Sequence, residues 1–207
     1  MHEQHGVSCS TAGGTHHAHA SRGGGFCAVN DLAITALELL ATGEASRVLI
    51  VDCDVHHGDG TAAILGGDSA PSVFTMSLHC ADNWPLLGKP NPHPSDLDVE
   101  LPPGAGDREY TAALEKYLPQ ALGAARPCVV LYDAGVDVHR DDSLGLLEVS
   151  DEGLRAREKM VLEKCLSWGA PVACYVGGGY HRSLDVLAAR HAVLHQEAQA
   201  AWERHCR

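Results

Sequence analysis

The chain has 207 residues, which is long enough for one domain with a substantial buried core. Its formal net charge of −12 argues against a nucleic-acid-binding surface, which would carry a basic patch, and favours a basic partner or substrate. Aromatic residues make up only 5% of the chain, so helices packed closely on a sheet are favoured over a β-sandwich.

Apolar, strand-like runs alternate with helical patterns along the chain. The runs cover residues 7–11, 48–51, 72–78, 128–132 and 171–176, and the helical patterns cover residues 30–42, 109–125, 150–168 and 182–203. Near-continuous apolar strands are typical of a parallel sheet that is covered on both faces. Pro119 should kink or divide its helix, and residues 83–103 should form a surface loop followed by an edge strand. The pattern predicts an α/β fold with three layers, α/β/α, in a single domain over residues 1–207.

Polar side chains follow these runs, at the end of a parallel sheet where ligands bind in open α/β folds. Asp54 and His56 come after the run at 48–51, and alternation puts Asp52 on the same side if the chain stays extended. A carboxylate and an imidazole two residues apart are good ligands for zinc or a similar divalent ion, and Asp137 is the obvious third ligand. Such a set with an open position fits a catalytic metal, whereas the plain alternative is a surface turn that caps a helix starting near Gly60.

Two further motifs could supply the rest of a hydrolytic reaction. His16 and His17 lie in a glycine-rich loop, and one of them could take a proton from a metal-activated water if Asp52 or Asp59 fixes its tautomer. Tyr180 follows three glycines and could donate a hydrogen bond to a developing oxyanion. Solvated loop histidines and a packed tyrosine in a strand-to-helix turn are the simpler interpretations.

The cysteines and the first residues bear on the compartment. The eight cysteines form no CxxC pair, and several lie in apolar runs, which is typical of buried free thiols in a reducing compartment. Residues 1–5 have no apolar stretch of a secretory signal, and no window approaches the roughly 18 apolar residues of a membrane span. We therefore expect an intracellular protein, cytoplasmic or nuclear, without direct contact to nucleic acid or membrane.

Together these motifs resemble the zinc-dependent histone deacetylase family, over residues 7–195. The matching residues are Gly14-Thr15-His16-His17, Gly25-Phe26-Cys27, Asn30-Asp31, the stretch 52–60, Asp137 with Asp142, Leu144 and Gly145, and Gly177-Gly178-Gly179-Tyr180. The stretch 77–79 and the proline-rich segment after it look closest to class IV and bacterial-type members. The resemblance implies an arginase/deacetylase-like fold. Because family domains extend well upstream of the His-His stretch, we expect a partial catalytic domain that is truncated at its N-terminus.

The resemblance also implies a role for each matched residue. One catalytic zinc ion would be held by Asp54, His56 and Asp137. His17, oriented by Asp59, would be the general base and then acid, His16 paired with Asp52 would tune the electrostatics, and Tyr180 would stabilise the oxyanion. The acyl-lysine channel would be lined by Gly25, Phe26, Trp84, Leu144 and Gly178. A structural potassium ion would lie near Asp52, Asp54, His56, Ser77 and Leu78.

Several functions remain open at this point. The resemblance favours hydrolysis of the amide in acetyl-lysine of histones or other proteins, with acylated lysine in a basic protein tail as the substrate. A small acylated amine such as a polyamine, or a long-chain acyl-lysine, would use the same site. A two-metal ureohydrolase would need further ligands around Asp141 and Asp142. A truncated, non-catalytic binding protein is the alternative outside the enzymes, and the oligomeric state is not predicted.

Overall fold

The computed structural model describes residues 6–206, in which six strands and five α-helices alternate except between the third and fourth strands. Residues 1–5, interpreted above as carrying no secretory signal, lie outside the described residues. The strands are β1 (Val7–Cys9), β2 (Val48–Asp52), β3 (Val73–Cys80), β4 (Leu97–Leu101), β5 (Val129–Asp133) and β6 (Val172–Tyr175). The helices are α1 (Asp31–Ala41), α2 (Asp59–Leu65), α3 (Asp107–Ala125), α4 (Asp151–Trp168) and α5 (Leu184–His205).

The strands form one sheet in the order β1-β6-β5-β2-β3-β4, and every neighbouring pair is parallel. Alternation along β2 sends Leu49 and Val51 into a core shared with α3, α4 and α5, while Val48 and Ile50 face a second core under α1 and α2. Helices therefore cover both faces, which confirms the three-layer α/β/α prediction, and β4 lies at the edge of the sheet as expected.

Side-chain caps set the start of three helices. Asn30, Ser150 and Ser183 each accept a hydrogen bond from a backbone N–H in the first turn of α1, α4 and α5. At the other end of α4, Gly169 takes a left-handed conformation with φ of 91°. The predicted helix boundaries therefore agree with the structure to within a few residues.

The expectation that a proline divides one of the helices was wrong. Pro119 does not divide α3, because Leu114, Leu118 and Leu122 form a buried stripe that holds the helix on the sheet across the missing hydrogen bond. In α5, Leu184 in the first turn is 78% exposed, and the face that packs on the core includes Leu187 and Leu194. None of the described helices combines the length and apolar character needed to cross a membrane.

The parallel arrangement separates the two ends of the sheet. The carboxyl ends of all the described strands meet at one edge, and the segments that follow β1, β2, β3, β5 and β6 carry most of the candidate site residues. At the opposite edge, Cys128 directly precedes β5 and is exposed. The described cysteines are all free thiols, and most of them are buried or half-buried.

Candidate active site

Three ligating atoms converge after β2 and β5, which are neighbours in the sheet. His56 Nδ1 lies 2.9 Å from Asp54 Oδ1 and 3.1 Å from Asp137 Oδ2, and the three residues are buried. One imidazole nitrogen carries at most one hydrogen, so it cannot satisfy both carboxylates at once. Two carboxylate oxygens and an imidazole nitrogen, all within 4.8 Å of one another, therefore fit a divalent cation.

The outer atoms of these ligands are held by the backbone. Asp54 Oδ2 accepts the Gly178 N–H at 2.9 Å, and Asp137 Oδ1 accepts the Val55 N–H at 2.9 Å. Burial and the charge of Asp54 raise the pKa of Asp137 to about 7. Burial also opposes the charged form of His56, but its hydrogen bonds to Asp137 and Asp54 outweigh burial and raise its pKa to about 10. The cluster thus attracts positive charge, as a metal-binding site must.

The adjacent histidines each pair with a carboxylate through Nδ1. His16 Nδ1 lies 2.7 Å from Asp52 Oδ2, and His17 Nδ1 lies 2.7 Å from Asp59 Oδ1. Within residues 6–206 neither Nε2 atom makes a hydrogen bond, and that of His16 lies 3.7 Å from Asp54 Oδ1. Burial, with the neighbouring His16, lowers the pKa of His17 to about 4, which leaves its imidazole neutral near pH 7.

The loop that carries the histidines is fixed by the start of α1. The Asp31 carboxylate accepts the backbone N–H groups of Gly14 and Thr15. Asn30 Nδ2 donates to the carbonyl oxygens of His16 and Ala18. The short Asn30-Asp31 motif therefore positions the histidines and does not take part in the ligand cluster.

Asp133, the last residue of β5, had no role in the sequence analysis. It pairs in register with Asp52, is fully buried, and neither carboxylate oxygen has a hydrogen-bond partner among the described residues. Its Oδ2 lies 3.9 Å from His16 Nδ1, and burial with the charge of Asp52 raises its pKa well above the usual range. Its place at a strand end, opposite Asp52, was the signal that could have identified it. His16, Asp52 and Asp133 form a second group of close ligating atoms, although His16 and Asp52 already bond directly.

Tyr180 reaches the site from the turn after β6. Its backbone N–H donates to Asp142 Oδ2 at 2.6 Å, and its ring centroid lies 6.2 Å from that of His56. Burial raises the pKa of the phenol, so the hydroxyl stays protonated and can donate a hydrogen bond.

The aspartates of the neighbouring loop have structural partners. Asp142 Oδ1 accepts the N–H groups of Leu144 and Gly145, and Asp141 pairs with Arg190. Within residues 6–206 neither aspartate belongs to a group of close metal-ligating atoms. The loop thus lacks the ligand set that the two-metal ureohydrolase alternative required there.

A cavity of about 420 Å³ leads from the surface to the ligand cluster. Its lining residues are His17, Gly25, Phe26, His56, Asp82, Asn83, Trp84, Leu87, Leu144, Leu146 and Tyr180. The expected channel residues Gly25, Phe26, Trp84 and Leu144 are among them. The sequence analysis missed the contribution of residues 82, 83, 87 and 146, which lie in two surface loops without a recognisable motif.

Gly178, which was expected in the channel wall, lines a smaller cavity of about 170 Å³ that shares His17, Gly25, Phe26 and Tyr180 with the larger one. Its backbone N–H also donates to Asp54 Oδ2. A Cβ atom at this position would come 2.5 Å from Asp137 Oδ2 and 2.6 Å from Asp54 Oδ2. The absence of a side chain at Gly178 therefore lets the ligand carboxylates approach the turn closely.

The residues expected around a potassium ion lie together at the ends of β2 and β3. The strand register pairs Asp52 with Ser77, and Leu78 follows in β3. Asp52 Oδ1 accepts the Asp54 N–H at 3.1 Å, and Ser77 Oγ lies 2.9 Å from His79 Nδ1. The Ser77 hydroxyl and the Asp52 carboxylate, at the ends of β3 and β2, therefore lie beside the ligand cluster.

Comparison with known proteins places the chain in a family. Residues 1–196 match the family model described as "Histone deacetylase domain". The chain is 48% identical to an uncharacterized protein of Picosynechococcus over 95% of this chain and 63% of the relative. It is 32% identical to Histone deacetylase 2 of Arabidopsis thaliana over 87% of this chain and 46% of that protein.

Solved structures agree with the observed fold. The HDA15 HD domain superposes with a TM-score of 0.72 at 31% identity, over 89% of this chain and 54% of that one. The acetylpolyamine aminohydrolase of Burkholderia pseudomallei superposes with a TM-score of 0.77 over 94% of this chain and 57% of that one, and at 23% identity it supports the fold alone. The chain thus spans between 46% and 63% of the length of these four proteins. Its sequence match and its arginase/deacetylase fold together establish that the chain belongs to the histone deacetylase family.

Proposed function

We propose that this protein hydrolyses the amide bond of an acylated amine, foremost acetyl-lysine in histones or other proteins, with one bound zinc ion. The observation that carries the proposal is the convergence of Asp54, His56 and Asp137 at the base of a cavity that Tyr180 and His17 also line. The apolar side chains that line the cavity suit the aliphatic stem of a lysine; they are Phe26, Trp84, Leu87, Leu144 and Leu146.

The ligand set would hold zinc, which when bound acts as a Lewis acid and lowers the pKa of a coordinated water. His17 Nε2 would take a proton from the attacking water and later deliver it to the leaving amine. The Asp59 carboxylate accepts a hydrogen bond from Nδ1 and fixes the tautomer that leaves Nε2 free to act as a base. Burial keeps this imidazole neutral, as the base of the first step must be.

The remaining site residues would stabilise charge. The Tyr180 hydroxyl would donate to the oxygen of the substrate carbonyl as that oxygen becomes negative. The pair of His16 and Asp52 would place a hydrogen-bonded imidazole next to Asp54 and tune the charge of the cluster. Asp52, Ser77 and Leu78 with Asp54 and His56 would hold a potassium ion, whose role would be to brace the strand ends that carry the ligands.

Metal removal tests this proposal directly. The purified 207-residue chain should contain about one zinc ion and should hydrolyse an acetyl-lysine peptide. Chelation should abolish turnover and added zinc should restore it. An Asp54→Asn variant should lose both metal and turnover, because one of the two carboxylates is gone.

Two results would contradict the proposal. Turnover that survives complete metal removal would exclude the zinc mechanism. Stoichiometric zinc with no turnover of acetyl-lysine, long-chain acyl-lysine or acylated polyamine would favour the non-catalytic binding alternative. The relative kcat/KM for these three substrate types assigns the acyl group and the amine.

A further inference from the structure

Asp82 lies in the wall of the active-site cavity, near its opening. His17 and His56 are buried and mark the base of the cavity, whereas Asp82 and the lining residue Leu87 are exposed. Among the lining residues, Asp82 is the one acidic side chain. A negative charge therefore borders an otherwise mostly apolar opening.

The Asp82 carboxylate has no internal partner in the described part of the chain. Neither of its oxygens takes part in a hydrogen bond or an ion pair between residues 6 and 206, although other exposed carboxylates such as Asp141 do. A carboxylate without an internal partner is free to bind a cation that arrives with the substrate. Asp82 has no evident task in holding the fold together.

The loop that carries Asp82 is nevertheless fixed in place. The next residue, Asn83, is buried, and its Nδ2 donates to the Leu144 carbonyl at 2.8 Å while its Oδ1 accepts the Leu146 N–H at 3.0 Å. Gly88, at φ of 69°, lies close under the carboxylate, since a Cβ there would come 2.9 Å from Asp82 Oδ1. Asn83 thus ties the Asp82 loop to the loop that supplies Leu144 and Leu146 to the cavity.

We propose that Asp82 is a specificity-determining residue that favours acylated amines with a second positive charge just outside the channel. The inference rests on the proposed function, because it assumes that the acyl amide lies at the ligand cluster. The second charge could belong to a basic residue beside an acyl-lysine or to the free amine of an acylated polyamine, and both present the same chemistry to the carboxylate. An exposed pair of this kind changes kcat/KM by about 1.5- to fivefold and is weakened by salt.

Matched substrates test the proposal. One pair consists of acetyl-lysine peptides that differ only by arginine or glutamine next to the acetyl-lysine. The other consists of monoacetylated diamines and N-acetylated alkylamines of equal length, and the chain length that gives the largest preference measures the distance to Asp82. The ratio of kcat/KM for charged over neutral substrate is compared among the wild type, Asp82→Asn and Glu115→Gln. Glu115 is exposed on α3 and outside the cavity, so its variant changes the net charge equally.

We expect a preference for the charged member of at least one pair, expressed in KM and lowered by salt. Asp82→Asn should lose most of it and Glu115→Gln should keep it. An equal ratio in the wild type and Asp82→Asn would overturn the role of Asp82. If Asp82→Asn fails to fold, the wild type still tests the proposal. A wild type that shows no preference for the charged substrate, or a preference that salt does not weaken, contradicts it. Failure of the proposed function looks different, because then no acylated substrate is turned over at all.

Discussion

Two neighbouring histidines make nearly equal hydrogen bonds, but their pKa values shift in opposite directions. His16 and His17 each pair with an aspartate at 2.7 Å through Nδ1. Burial opposes the charged form of both, but the carboxylates of Asp52, Asp54 and Asp133 outweigh it at His16 and raise its pKa. His17 has fewer negative neighbours, so its pKa falls to about 4. The charge environment, and not the hydrogen bond, distinguishes the candidate base from the charged neighbour.

The Tyr180 hydroxyl gives the sharpest test at the level of one atom. Tyr180→Phe removes the hydrogen-bond donor and keeps the ring against Phe26, 5.9 Å away between centroids. We expect kcat to fall by about 10²–10³, as when a single oxyanion donor is lost, with the zinc content unchanged. Metal analysis and steady-state kinetics measure both quantities. Wild-type kcat in this variant would show that the hydroxyl has no part in the reaction.

At the level of elements, the turns that follow the strands position the residues of the candidate site. The turn after β6 supplies the Gly178 N–H to Asp54 and brings Tyr180 to the cavity. The segment after β5 brings Asp137 to His56. These contacts connect different strand ends, so the site depends on the packing of whole elements.

Gly178→Ala tests how closely the β6 turn must approach the ligands. The added methyl group would meet the Asp54 and Asp137 carboxylates at about 2.6 and 2.5 Å, so the ligand cluster must shift. We expect zinc affinity to fall by about 10- to 100-fold, as for other disturbances of the groups that orient metal ligands. Gly123→Ala in α3 is the matched control, because its methyl group meets nothing within 4 Å. Competition with a chelating dye measures the affinity, and wild-type zinc binding by Gly178→Ala would contradict this role for the turn.

Local sequence patterns predicted where the strands and helices lie, but not that α3 would continue through Pro119. The apolar runs located the strands because strands buried on both faces are almost continuously apolar, as in β2. Pro119 misled because proline costs one hydrogen bond, whereas the stripe of Leu114, Leu118 and Leu122 stabilises the same helix over several turns. The packing of this stripe on the sheet therefore outweighed the local effect of one proline.

At the level of the whole molecule, the layer order was predictable and the pairing order was not. Alternating runs and helices predicted three layers, but the placement of β5 between β2 and β6 depends on contacts far apart in the chain. That placement sets Asp133 opposite Asp52, so the sequence alone did not indicate a role for Asp133. A role for Asp82 was not predicted for another reason, because a single carboxylate in a loop belongs to no motif with a recognisable spacing.

Metal binding should stabilise the entire domain, because its ligands come from segments after two different strands. Zinc at about 100 times its Kd contributes roughly 2.7 kcal/mol to the free energy of unfolding. For a domain of this size we expect a rise in Tm of about 5–10 °C over the chelated protein. Thermal unfolding with and without zinc measures the shift, and Asp137→Asn should show little of it. An equal Tm for the chelated and zinc-loaded wild type would argue against a preformed metal site.

The exposed thiol at the far edge of the sheet offers a point of attachment. Hydrogen bonds from Ser46 lower the pKa of Cys128, which makes this thiol a better nucleophile than the buried cysteines. A maleimide-bearing bead or electrode would therefore couple there first. The immobilised molecule would then present the opening of its large cavity outward, away from the support.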